Sequence, residues 1–284
     1  MREGNVTVIL ATACAVVYGT ADFFGGLATR RSQVFSVVVL SQIAGLVLIL
    51  GLLPLLPGTF GAPALTWGLA SGLAGAAGLV LFYRALAMGV MSVVAPTTAV
   101  TSAALPVTFG LATGERPAVW ALVGVALALG AVLLVSQEGS GGRRASLSSV
   151  LAALAAGAGF GGFFILLSMA PHEAGLWPLV GARLSSISLV ALLAVLARRA
   201  LKPGPGSLHI IVAAGVLDMA ANVLYLLAQQ DGLLSLVAVL VSLYPASTLL
   251  LARQVLGERL RAVQVAGVAC ALVAVALIAV AQHH

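Results

Sequence analysis

Charge is what this sequence has least of. Of its 284 residues only 8% are Asp, Glu, Lys or Arg, 8 acids against 14 bases, where a soluble domain carries roughly a quarter. Histidine (4) and cysteine (2) are equally scarce. No HExxH pair, no GxxxxGK[ST] and no nucleophile set beside a base is present, and His172 and His209 fall at the edges of apolar runs. An ATP-driven mechanism therefore has no motif, and no catalytic site, metal site or cofactor is expected. Cys14 and Cys270 stand alone in apolar runs without the spacing of a metal site, and read as small buried residues. The net charge of +6 does not mark a nucleic-acid binder, because the basic residues are scattered singly or in pairs with no basic face.

What is abundant is apolar: 61% of the chain. A helix that crosses a bilayer needs about 20 mostly apolar residues. Runs of that kind lie near 6–24, 34–53, 66–84, 90–112 and 117–136, then 147–169, 176–197, 208–228, 233–254 and 261–281. They leave no room for a soluble domain. An unpaired strand edge in lipid would leave every peptide group unsatisfied, and the ten-residue alternation of a barrel is missing, so the runs are read as helices. Glu3 cancels the positive start of what would otherwise imitate a signal peptide, and the first span is expected to stay in the mature protein.

The basic residues then set orientation. The odd-numbered connections hold Arg30, Arg31, Arg84, Arg143, Arg144, Arg198, Arg199, Lys202, Arg253, Arg259 and Arg261; the other side holds only Arg2 and Arg116, and Arg183 alone lies within a span. The asymmetry assigns the odd connections to the cytoplasm and both termini to the outside of a cytoplasmic membrane.

Sliding the chain over itself by 143 residues lays Gly114-Glu115-Arg116 on Gly257-Glu258-Arg259, Gly124-Val125-Ala126 on Gly267-Val268-Ala269, Gly89 on Gly232 and Ser92 on Ser235. At a shift of 142, Tyr18-Gly19 falls on Phe160-Gly161. Each copy holds five helices, and five is odd, so the second copy enters the membrane inverted. The expected fold is all-α: an integral membrane protein of ten transmembrane helices in two inverted five-helix repeats, residues 1–140 and 141–284. The paired GER segments, the aromatic-Gly pairs and the Tyr244-Pro245 step resemble EamA-type transporters of the drug/metabolite transporter superfamily. That resemblance implies a five-plus-five carrier with a central cavity, commonly for amino acids, metabolites or drugs. Pro96 and Pro106 do not align with Pro245, a departure in the first half.

Polar residues at bilayer depth are costly and face a bundle interior or a wet cavity. Asp218, Asn222 and Tyr225, at i, i+4 and i+7, form one stripe of span eight. Asp218 and Asn222 are read as binding a cationic group, or Asp218 as taking the coupling proton; the structural alternative is a buried ion pair between Asp218 and Arg183. Arg183, in span seven, suits a carboxylate or phosphate. Span four carries Thr97, Thr98, Thr101 and Ser102 beside two prolines, and span nine carries Ser242, Tyr244, Pro245, Ser247 and Thr248. Proline frees a carbonyl one turn back, so kinked, cavity-lining helices are expected, with Thr101, Tyr244 and Ser247 on the lining. Asp22, near the end of span one, is a second proton-coupling candidate. Glu115 and Glu258 are assigned to capping at the starts of helices five and ten. Gly68, Gly72, Gly75, Gly78, Gly157 and Gly161 are assigned to close helix contact.

These residues lead to a secondary carrier, an exporter or exchanger of a small solute embedded in the lipid bilayer, with no nucleic-acid partner and self-association left open. A channel for ions or small solutes is the rival, and an intramembrane lipid enzyme a more distant one.

Overall fold

The computed structural model describes residues 2–88, 91–135, 147–198, 201–256 and 261–281. Among these every regular element is helical: α1 Arg2–Thr29, α2 Val34–Leu52, α3 Ala62–Met88, α4 Met91–Ala112, α5 Val119–Val135, α6 Leu147–Ser168, α7 Trp177–Leu196, α8 Leu208–Asp231, α9 Leu234–Val241, α10 Tyr244–Leu256 and α11 Ala262–Ala281. A short 3₁₀ turn, His172–Ala174, precedes α7. Among the described residues seven helices are long and apolar enough to cross a membrane: Val6–Thr29, Val34–Leu52, Ala62–Phe82, Leu147–Ser168, Trp177–Leu196, Leu208–Gln230 and the two-piece Leu234–Leu256. Three shorter apolar stretches, Thr97–Ala112, Val119–Leu134 and Ala262–Ile278, accompany them.

The ninth run is broken where proline demands it. Pro245 has no N–H to offer Val241 and its ring crowds that carbonyl. The chain passes through a tighter turn, in which Leu243 N donates to Leu240 O at 3.3 Å and Ala246 N to Leu243 O at 3.0 Å. The two pieces differ in burial. All eight residues of α9 are buried and none of α10 is. The fourth run, expected to kink in the same way, stays one helix from Met91 to Ala112 despite Pro106.

The main packing partners are α1 with α8, α9 and α10; α2 with α7 and α8; α3 with α6 and α7; α4 with α6 and α9; and α5 with α11. Exchanging α1 for α6, α2 for α7, α3 for α8, α4 for the α9–α10 pair and α5 for α11 maps this set onto itself. Contacts between connections keep parity as well. Ser32 in the first connection meets Ser207 in the seventh, Oγ to Oγ at 2.6 Å, and accepts from Gly204 N at 2.8 Å. Thr59 in the second donates through its N–H to Glu173 O in the sixth at 2.7 Å. Odd connections meet odd ones, and even meet even.

Glycine lets these helices approach backbone to backbone. Gly68 and Gly72 on α3 lie against the carbonyls of Pro178 and Ala182 on α7; a methyl group on Gly157 would come within 2.5 Å of Thr101 Cβ, and one on Gly161 within 2.9 Å of Leu105 Cβ. Gly72→Val forces α3 off α7 and is expected to cost at least about 2 kcal/mol. A lower melting temperature and loss of the monodisperse species in detergent should follow; an unchanged melt would contradict the close packing.

Candidate functional site

Between the two halves lies a chamber of about 300 Å³. Its polar lining comes from α1 (Tyr18, Asp22), α2 (Gln42), α4 (Ser102), α7 (Arg183, Ser186), α8 (Asp218, Asn222) and the broken span (Ser242, Tyr244). Phe160, Phe163 and Phe164 of α6 supply an aromatic wall.

At its centre Arg183 Nη2 donates to Asp218 Oδ2, joining α7 to α8; the guanidinium side chain is 14% exposed and the carboxylate side chain 38%. Asn222, one turn along α8, donates through Nδ2 to Asp218 O at 2.8 Å and more distantly to Asp218 Oδ2 at 3.4 Å. Its Oδ1 is buried and has no hydrogen-bond partner. A buried acceptor left unpaired costs on the order of 1–3 kcal/mol. Across the chamber Ser186 Oγ donates to Gln42 Oε1, tying α7 to α2. The lining thus holds two carboxyl groups, Asp22 and Asp218, against one guanidinium.

The chamber is open on one side. Tyr18, Asp22, Gly25, Gly26 and Thr29 recur at helical spacing along one face of α1, about half a turn from the outward-facing Ile9 and Val16. Asp22 is exposed, and a side chain on Gly25 or Gly26 would meet only empty space. This track leads from the chamber to the α1–α2 connection. Toward the other end stand α9, the Phe60–Trp177 edge contact with ring centroids 4.7 Å apart, and the Thr59–Glu173 bonds.

Of the residues singled out from the sequence, Asp218, Asn222, Arg183, Tyr244 and Asp22 come together on the lining. Three do not. Tyr225 is fully buried behind Phe164, its ring 4.6 Å from that ring and its hydroxyl donating to Phe164 O at 3.2 Å. Thr101 turns its hydroxyl back to Thr97 O at 2.7 Å and packs on Gly157, and Ser247 packs on Gly19. Glu115 does cap a helix, but the helix is α9 and not α5, and Glu258 lies outside the described residues. Cys14 is buried and donates to Ala221 O at 3.0 Å, whereas Cys270 is only half-buried.

Tyr18, Gln42, Ser186 and Phe160 went unread as lining. A signal existed for two of them. In each aromatic-Gly pair the aromatic residue lines the chamber while the glycine seats the helix on the fourth span of the opposite half: Gly19 on Tyr244, Ser247 and Thr248, and Gly161 on Ser102 and Leu105.

Long apolar helices around a polar chamber define a multi-pass membrane protein. The second half of the chain, residues 147–280, matches the EamA-like transporter family. A solved structure described as "Crystal structure of protein" shares its fold at a TM-score of 0.77 and 18% identity, over 95% of each chain. No curated protein matches the sequence.

Proposed function

We propose that the protein is a secondary active transporter, an exporter or exchanger of small metabolites, amino acids or drug-like solutes, working by alternating access. The reading takes α1–α5 and α6–α11 as two inverted five-span repeats in the cytoplasmic membrane, with both termini outside. The self-mapping of the helix contacts under exchange of halves supports the repeat, and the parity of the connection contacts supports the layout. In this orientation the open track faces the cytoplasm.

The observation that carries the proposal is the Arg183–Asp218 pair with the unpaired Asn222 Oδ1 beside it, inside a chamber shared by both halves. Fixed charges of both signs give a solute two handles. The extra carboxyl group of Asp22 and the surrounding aromatic faces favour a solute with a protonated amine and an apolar body. The volume is at the small end for ligand sites and suits a compact metabolite.

The deciding measurement is counterflow. Proteoliposomes preloaded with unlabelled solute should take up labelled solute saturably and transiently above equilibrium, because a carrier returns loaded faster than empty. Single-channel currents without counterflow would instead establish the channel.

A further inference from the structure

Glu115 belongs to the connection after α4, yet its carboxylate serves the other half of the molecule. It accepts from the first amides of α9, Leu234 N at 2.7 Å and Ser235 N at 3.0 Å. Local geometry aims it there. Gly114 adopts φ +101° and donates to Leu111 O at 3.3 Å, while Glu115 N donates to Gly110 O at 2.9 Å. These paired bonds close a helix through a left-handed glycine. Gly110 leaves room for the carboxylate to fold back. The partner helix needs this service, since Leu233, which precedes α9, provides no side-chain cap. Free amides at a helix start carry partial positive charge and favour an anion.

The helix held in this way is the buried half of the broken span. It presents Ala238 and Val241 to the chamber and stands toward the end away from the open track. We infer that Glu115 is an inter-half latch. Its grip on α9 keeps that end shut while the chamber is open toward the α1–α2 connection, and outward opening requires the two charge-assisted bonds to break. The inference rests on the alternating-access reading above. It adds that one acid, remote from the chamber, sets the resting ratio of the two states.

The test uses the full chain in intact cells, with Cys14 and Cys270 replaced by Ala and Leu179→Cys as the reporter. Leu179 lines the chamber and is 1% exposed. A membrane-impermeant maleimide is added from outside. Glu115→Gln is expected to raise the initial labelling rate at least fivefold, with Glu115→Asp in between. Glu173→Gln, which removes an exposed acid from an even connection and keeps the backbone carbonyl that Thr59 meets, should leave the rate unchanged; an equal rise there would overturn the latch by making it a general charge effect. Unchanged labelling in Glu115→Gln also overturns it. Should that variant fail to fold, Ser235→Pro deletes one of the two donors in the first helical turn, where proline is tolerated; faster labelling supports the latch and an unchanged rate refutes it. Counterflow by the parent protein is measured alongside. Its absence removes the carrier reading and leaves the labelling to judge the contact; its presence with unchanged labelling removes the latch alone.

Discussion

Asp218→Ala is expected to abolish solute transport and to destabilise the protein by about 2 kcal/mol, with most of that stability recovered, but no transport, when Arg183→Ala is added. Removing one partner of a fully buried ion pair costs about 3–5 kcal/mol, largely because the survivor is left charged and unpaired. Here the figure is lower because the Asp218 side chain is 38% exposed in the chamber while Arg183 is only 14% exposed. Asp218→Ala therefore strands the more buried group. The double variant removes the stranded charge and leaves a cavity that water can fill. A thermal melt of the four proteins in detergent gives the stability cycle, and uptake into proteoliposomes gives the function. If the double variant were no more stable than Asp218→Ala, the pair would not be what joins α7 to α8; if Asp218→Ala still carried solute, the chamber would not be the path.

The pair also separates what a single sequence can disclose from what it cannot. Asp218, Asn222, Arg183, Tyr244 and Asp22 were legible because polar atoms at bilayer depth have to face something wet, and in this fold the wet place is the chamber. Tyr225 defeated the same reasoning. It is on the stripe of Asp218 but two turns further along α8, where the α6 aromatics have already closed over the helix and Phe164 takes its hydroxyl. A helical period gives the face of a residue, not how far along that face the cavity extends. Thr101 and Ser247 failed for a related reason, since a small hydroxyl residue serves equally well as the flat surface on which Gly157 or Gly19 seats a helix.

The fold was read more fully than the site, and its misreadings are local. Ten apolar runs matched ten helical stretches, but α1 continues to Thr29, past the expected end near residue 24. The Gly25-Gly26 pair resembles a helix stop in water, whereas in lipid the backbone has no other partner and the helix runs on. The proline expectation held at Pro245 and produced no break at Pro106. Glu115 is the most instructive case. Its residue type and its place at a helix start announced a cap, but the helix it caps is more than a hundred residues away, and only the packing of one half on the other could reveal that.

The largest effect on energy coupling is expected from Asp22. Both chamber acids were proton-coupling candidates, and the ion pair divides their tasks: Asp218 is held by Arg183, while Asp22 is exposed on the open track with no ion-pair partner among the described residues. An acid bonded to a guanidinium has its task in joining α7 to α8. One that stands alone on the open track is within reach of protons from that side. Asp22→Asn should therefore reduce accumulation driven by a pH gradient by at least about tenfold, roughly the 1.4 kcal/mol that one pH unit supplies, while counterflow, which needs no net proton movement, persists. Asp218→Asn should lose both, because it also removes a handle on the solute. The two assays on the same vesicles separate these outcomes, and pH-driven accumulation that survives in Asp22→Asn would move the coupling role to Asp218 or out of the chamber altogether.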